Sequence, residues 1–237
     1  MLFDIHTHVV PGVDDGSKSV DESIAILKEL QKQGVDKVLA TPHFYATQTS
    51  FDRYIDKVCR HTERLLEAAD GMDLPEVLLG SEVYYFKNMS QTEELKRLCI
   101  NGSRYILVEL PYEPIDDYVI DDINAIVLEQ KLTPILAHLE RFYRYNSPEV
   151  LHSFFRHHDI ECQVNAESLA KGLGKNKPLS LIQSGYCRFL GSDTHNLTSR
   201  PPYMDKAIAY IEKKLGAEMK NELLRRGDLF YQEITAE

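Results

Sequence analysis

Short apolar runs alternate with longer amphipathic stretches along the whole chain, and no other feature restricts the possible fold as strongly. The pattern is that of repeated βα units around a parallel sheet. Seven units can be counted: a first strand ending at Ile5, then strands over residues 37–41, 76–80, 104–108, 133–137, 160–164 and 187–190. Helices are predicted over residues 20–33, 52–69, 91–99, 116–130, 148–157 and 179–185, the first capped by Ser19 or Asp21. A loop over 171–177 precedes the sixth, and two final helices are expected from Arg200 to about 215 and from 217 to 226. Seven units rather than eight predict an α/β chain closed as a distorted (β/α)7 TIM-like barrel, and 237 residues suit a single domain, 1–237.

In such barrels the C-terminal strand ends converge on one face, where sites are built. Six of the seven runs end within a few residues of a His, Asp or Glu, giving His6, His8, Asp15, His43, Glu82, Glu109, His138, Asp193 and His195. In an extended segment His6 and His8 leave the backbone on the same side, about 7 Å apart at Cα, so both imidazoles can reach one ion. One zinc- or manganese-type ion needs three or four such ligands with a position left open. Five histidines and four carboxylates therefore suit two or three metals, and the absence of thiols favours manganese, iron or zinc held through N and O. Clustered ions acidify water and clamp phosphoryl oxygens, so the chemistry implied is hydrolysis of a phosphate ester.

Composition narrows the field further. A formal charge of −10 argues against a general nucleic-acid binder, whose affinity comes from Lys and Arg. Cys59, Cys99, Cys162 and Cys187 are widely spaced, without a Cys-x-x-Cys pair, and read as reduced core residues. A strand begins within two residues of Met1, leaving no leader, and no apolar run approaches a membrane span. A cytoplasmic protein without direct membrane insertion is expected.

The motifs DIHTHVVPGVDDG, ATPHF, GSEVYY, LVELP, AHLERF and GSDTHN occur in the order and spacing of the PHP (polymerase and histidinol phosphatase) superfamily. The full set most resembles the CpsB/YwqE group of bacterial manganese-dependent protein tyrosine phosphatases, over essentially residues 1–235. The resemblance implies the PHP fold and three divalent ions, with manganese first and iron or zinc as substitutes. By position, His6, His8, Glu82 and Asp193 would hold one ion, and a bridging Glu82 with Glu109 and His138 a second. Asp15, His43 and His195 would hold the third. It further implies that Arg141 and Arg200 approach the substrate phosphate, a role suited to bidentate guanidinium pairing. The implied substrate is a phosphotyrosine protein, such as the tyrosine-rich tail of a bacterial kinase that regulates capsule or exopolysaccharide synthesis.

Other residues take plainer roles. His61, His152, His157 and His158 fall on predicted helices and read as surface residues; Asp14 reads as a group orienting the turn beside Asp15. Tyr84, Tyr85, Tyr112, Tyr143, Tyr145 and Tyr203 flank strand ends, where packing at the rim is the simplest use. A phenol leaving group, with a pKa of about 10, needs little protonic help, and no general acid is named. The alternatives are a small-molecule phosphatase acting on an ester such as histidinol phosphate, a PHP-type nuclease, and a non-catalytic scaffold. Short loops after the second to fourth strands favour an open site and hence a protein substrate. The oligomeric state is left open.

Overall fold

A computed structural model describes residues 1–155, 159–172 and 176–236. Its elements follow the order β1 (Leu2–Thr7), α1 (Val20–Lys32), β2 (Val35–Ala40), β3 (His43–Phe44), α2 (Phe51–Ala69), β4 (Glu76–Leu79), β5 (Glu82–Tyr84) and β6 (Tyr105–Glu109). The chain continues through α3 (Asp117–Ala125), β7 (Thr133–Leu136), α4 (Pro148–Ser153), β8 (Glu161–Asn165), α5 (Ala166–Ala170), α6 (Lys177–Gln183), β9 (Cys187–Gly191) and α7 (Met204–Thr235). All strand pairs are parallel, as the alternation predicts.

The strands form two sheets, β1-β2-β4 and β3-β5-β6-β7-β8-β9, rather than the single closed barrel sheet expected from the sequence. Two of the seven expected strands, 37–41 and 76–80, end near their expected limits as β2 and β4, and the chain then resumes pairing in the short strands β3 and β5. Pro42, which has no N–H for a ladder, separates β2 from β3, and Gly80-Ser81 separates β4 from β5. Hydrogen bonds from Gly80 N–H to Ala40 O (2.9 Å) and Glu82 N–H to Pro42 O (3.1 Å) carry the pairing past both breaks. On the other side, β1 meets the chain beyond β9 through a Thr7–Thr194 bridge, with Asp193 N–H donating to His6 O (2.8 Å) and His8 N–H to Thr194 O (3.0 Å).

Helix ends follow their sequence signals, with Ser19, Ser50, Asp116 and Ser147 accepting from backbone N–H groups at the starts of α1, α2, α3 and α4. The helix expected over 91–99 is instead 3₁₀ turns, Met89–Gln91 and Glu93–Leu98. The buried Asp122 carboxylate takes the N–H groups of Met89 (3.1 Å) and Ser90 (3.2 Å) just before this segment, and the Gln130 amide donates to Thr92 O (3.2 Å), a carbonyl that an α-helix would use. The helix expected over 116–130 stops at Ala125 and finishes as a π-turn, Ile126–Gln130. Helix α7 begins at Met204 because Pro201 and Pro202 keep the chain extended, breaks at Gly216 (φ +89°), and continues past the expected end at 226 to Thr235. Its end packs Phe230 and Ile234 against Phe3, Tyr105 and Phe189, forming a second apolar cluster beside the main core. Helix α4 is six residues long; His157 and His158, and positions 173–175 of the 171–177 loop, lie outside the described residues. Among the described residues, no helix is long and apolar enough to cross a membrane.

Two glycines permit close approach beneath the strand-end face. A Cβ on Gly16 would lie 2.3 Å from His8 O, and one on Gly191 would lie 2.6 Å from the His6 Cβ. His138 (φ +31°) and Asp193 (φ +53°) both adopt the left-handed region, which ordinary side chains avoid and which clusters where geometry is imposed by a site.

Candidate metal centre

The nine residues singled out by the sequence meet at the strand-end face. His6 comes from β1 and His8 from the residues just beyond it, Asp15 from the following turn, and His43 from β3. Glu82 opens β5, Glu109 closes β6, His138 follows β7, and Asp193 and His195 follow β9. All but Asp15 and His43 are buried.

Glu82 lies at the middle. Its Oε2 is 3.1 Å from His6 Nε2, 3.2 Å from His8 Nε2 and 3.0 Å from His43 Nδ1, while Oε1 is 3.0 Å from His138 Nε2. Asp193 Oδ1 completes the first group at 3.7 Å from His6 and 3.4 Å from His8. Glu109 Oε1 is 3.4 Å from His138 Nε2, and Asp15 Oδ1 is 3.3 Å from His195 Nε2 and 3.6 Å from His43 Nε2. Three groups among the described residues bring ligand atoms within 4.8 Å of one another: His8-Asp15-His43-His195, His6-His8-Asp193 and His43-Glu82-Glu109. These groups cut across the partition that the motif resemblance implies, because His43 faces Glu82 through one ring nitrogen and Asp15 through the other.

The chemistry of this donor set suits divalent cations. His43 Nδ1, Glu82 Oε2 and His195 Nε2 are buried without a hydrogen-bond partner, although other site atoms lie close by. Buried polar atoms normally find partners, so lone pairs gathered on a common space fit bound ions. The imidazoles are also held from behind. His8 Nδ1 pairs with Asp14 Oδ2 (2.7 Å), His6 Nδ1 with Gln163 Oε1 (3.2 Å) and His195 Nδ1 with Asp193 O (3.0 Å), leaving each Nε2 directed inward.

Charge balance within the cluster is tight. Burial works against ionisation of Glu82, yet His6, His43 and His138 hold its carboxyl well below the usual range. Burial likewise opposes the Asp193 carboxylate, and His6, His8, Arg141 and Arg200 outweigh it. Burial and Arg141 disfavour a charged His138, but Glu109 and Glu82 carry its pKa up to about 9. Burial and the charge of neighbouring His8, whose ring centroid is 3.8 Å away, press His195 down to about 3.

Arg141 and Arg200 both reach the cluster. Arg141 Nη2 is 2.7 Å from Asp193 Oδ2 and Arg200 Nη2 is 2.8 Å from Asp193 Oδ1, and both guanidinium groups line a cavity of about 330 Å³ above the ligands. Tyr45, Tyr84 and Tyr112 line the same cavity; Tyr112 donates its hydroxyl to Glu109 Oε1 (2.7 Å). Tyr85 instead bonds Asp122 (2.9 Å), Tyr143 pairs with His152 (2.9 Å), and His61 pairs with Pro11 O (2.6 Å), so these are structural. Neither His61 nor His152 belongs to any of the three ligand groups.

Several contributors escaped the sequence reading. Gln163 accepts from His138 N–H (2.8 Å) as well as facing His6, and it donates to Asn165 Oδ1 (2.7 Å). Asn165 in turn donates to Asp193 Oδ2 (2.8 Å). Asp4, fully buried, accepts from Ser192 N–H (2.7 Å) and His6 N–H (3.3 Å), tying β1 to the Asp193 turn, and burial pushes its carboxyl up to about 7. The signal for Gln163 and Asn165 was present as alternating polar positions within a strand that parallel α/β sheets bury on both faces.

Asp14 has the clearest supporting role, since its carboxylate holds His8 and also accepts from His43 N–H (3.0 Å) and Gly16 N–H (2.9 Å). Asp14→Asn is expected to weaken metal binding by about 10- to 100-fold, the usual cost of removing a ligand's outer partner. Calorimetric titration of the chelated variant checks this, and unchanged affinity would remove Asp14 from the centre.

The chain matches the sequence family described as capsular polysaccharide synthesis, CpsB/CapC, over residues 2–228. It is 30% identical over 235 residues to the tyrosine-protein phosphatase CpsB of Streptococcus pneumoniae, covering 94% of each chain. It is 31% identical over 244 residues to the putative tyrosine-protein phosphatase CapC of Staphylococcus aureus, covering 96% of this chain and 90% of the relative. A solved structure from work describing YwqE of Bacillus subtilis and CpsB of Streptococcus pneumoniae as unique metal-dependent tyrosine phosphatases superposes with a TM-score of 0.83 at 25% identity, over 98% of this chain and 95% of that one.

Proposed function

The chain belongs to the CpsB/CapC family, and on that premise we propose that it is a metal-dependent protein-tyrosine phosphatase whose centre is built from the nine converging residues. The observation that carries this reading is the gathering of partnerless, buried lone pairs around Glu82 directly beneath two arginines. Three ions are proposed, manganese foremost with iron or zinc as substitutes. His6, His8, Glu82 and Asp193 would hold one, Glu82, Glu109 and His138 another, and Asp15, His43 and His195 the third, with His43 positioned to couple two of them. Bound there, divalent cations would supply a nucleophile by acidifying water and would neutralise charge on the phosphoryl oxygens.

The chain's own residues provide the rest. Arg141 and Arg200 enter from one side, where guanidinium forks can take the non-bridging oxygens and stabilise the charge that grows on them as the aryl P–O bond breaks. Tyr45, Tyr84 and Tyr112 offer ring faces and edges to the phenyl group. Water's oxygen ends on phosphorus and the phenolate leaves, taking its proton from solvent; a leaving group with a pKa near 10 requires no dedicated acid.

Several broader assignments belong to the same reading. The Thr7–Thr194 bridge and the hydrogen bonds past Pro42 and Gly80 support treating the two sheets as a distorted (β/α)7 barrel and residues 1–237 as one domain. Free cysteines fit a cytoplasmic setting. A phosphotyrosine-bearing bacterial kinase that regulates capsule or exopolysaccharide synthesis is the substrate that fits the family's description. The test compares kcat/KM of the manganese-loaded protein for a tyrosine-phosphorylated peptide and for histidinol phosphate, with Asp193→Ala as background. Preference for the peptide, lost in the variant, is expected; preference for histidinol phosphate would move the protein to small-molecule metabolism.

A further inference from the structure

A second groove of about 630 Å³ adjoins the cavity over the ligands. His43 and Tyr45 line both spaces, so Tyr45 is the wall that a chain leaving the centre on this side must pass. Its ring sits 5.2 Å from that of His43 and 5.5 Å from that of Tyr84. Beyond it the lining mixes Val13 and Tyr54 with the polar side chains of Gln48, Thr49, Arg53 and Lys57. Arg53 and Lys57 stand four residues apart on α2, so they occupy one face of the helix.

The charges in this groove are unevenly engaged. The Lys57 ammonium donates to Val13 O (2.7 Å). Asp14 lies in the lining too, but its carboxylate is taken up by His8, His43 N–H and Gly16 N–H. Asp52, the acidic neighbour of Arg53, pairs with Arg97 at 2.8 Å. Arg53 is exposed and has no ion pair among the described residues. A positive group without an ion pair among the described residues therefore lines a groove that shares the His43–Tyr45 wall with the proposed catalytic cavity. A residue beside a phosphotyrosine is one Cα step of about 3.8 Å from it, and two steps of extended chain span about 7 Å, so a flanking residue is the part of a peptide suited to a groove that shares a wall with the cavity.

We propose that this groove is the subsite for a residue flanking the phosphotyrosine and that Arg53 selects an acidic side chain there. The inference rests on the phosphotyrosine reading above and adds to it a substrate preference. Asp15, at the shared edge, is turned toward His43 and His195 and is one of the proposed metal ligands, so it does not cancel Arg53. Lys57, held to Val13, adds a second positive charge to the lining and joins α2 to the turn that carries Asp15.

The experiment measures kcat/KM at low salt for three substrates: a phosphotyrosine peptide flanked by Glu, the same peptide flanked by Lys, and p-nitrophenyl phosphate, which has nothing to place in the groove. The wild-type protein is expected to favour the Glu peptide by about tenfold, the preference shrinking as salt is added. Arg53→Glu is expected to lower the Glu peptide by about tenfold, chiefly through KM, to improve the Lys peptide, and to leave p-nitrophenyl phosphate within about twofold. Arg53→Gln should fall between. An unchanged peptide preference in Arg53→Glu, or an equal loss on all three substrates, would overturn the assignment while leaving the phosphatase reading intact. A wild-type protein inactive on every aryl phosphate would overturn both.

Discussion

Replacing Glu82 by Gln is expected to lower kcat/KM for a phosphotyrosine peptide by about 10³-fold or more, equivalent to about 4 kcal/mol of transition-state stabilisation. Among the described residues, Glu82 is the one carboxylate within 3.2 Å of four imidazoles, those of His6, His8, His43 and His138. Its two oxygens face different members of the cluster, which is the arrangement of a residue shared between ions. The amide is close in shape but has one acceptor atom instead of two and carries no charge, so the histidines would be left without their central counter-ion. Metal content per chain should fall with activity. Because the side chain keeps its volume in a fully buried position, the circular dichroism spectrum should be retained. Near wild-type activity in this variant would mean that Glu82 bridges nothing.

The second large effect is expected at Arg141, where truncation to Ala should lower kcat/KM by about 10²- to 10³-fold while the metal content stays at the wild-type level. Arg141 is 30% exposed at its side chain and meets Asp193 Oδ2 at 2.7 Å, so the guanidinium is anchored by one edge and open to the cavity on another. Arg141→Lys keeps the charge but loses the planar fork, and should recover only part of the activity. Measuring kcat/KM alongside bound metal separates a phosphate-binding role from a structural one. Loss of metal in step with activity would assign Arg141 to holding Asp193 in place, and full activity would exclude it from the site.

The distribution of these residues explains how much was legible beforehand. His6, His8, Glu82, Glu109, His138 and Asp193 stand out because a parallel βα chain sends its strand ends to one face, so ligand-type residues in register with strand ends meet without any need to know the loops. The order of the strands was legible for the same reason. Closure was not, since it depends on whether hydrogen bonds continue past Pro42 and Gly80-Ser81, a matter of local backbone geometry. The segment 91–99 misled because its amphipathic spacing is helical, whereas Asp122 and Gln130, distant in sequence, bind the backbone of Met89 just before it and of Thr92 within it. Gln163 and Asn165 were overlooked because amides ligate metals less often than His or carboxylates; their part is to hold His6, His138 and Asp193, which only the folded chain reveals. Arg141 and Arg200 stood out by resemblance to a family, and their convergence on opposite oxygens of Asp193 became visible only in three dimensions.

The most direct test of the central claim is a titration of chelated protein with manganese, following hydrolysis of a tyrosine-phosphorylated peptide against equivalents of metal added per chain. The chelated protein is expected to be inactive, and activity to rise until three equivalents are bound. Full activity without metal, or none at any loading with manganese, iron or zinc, would contradict that claim.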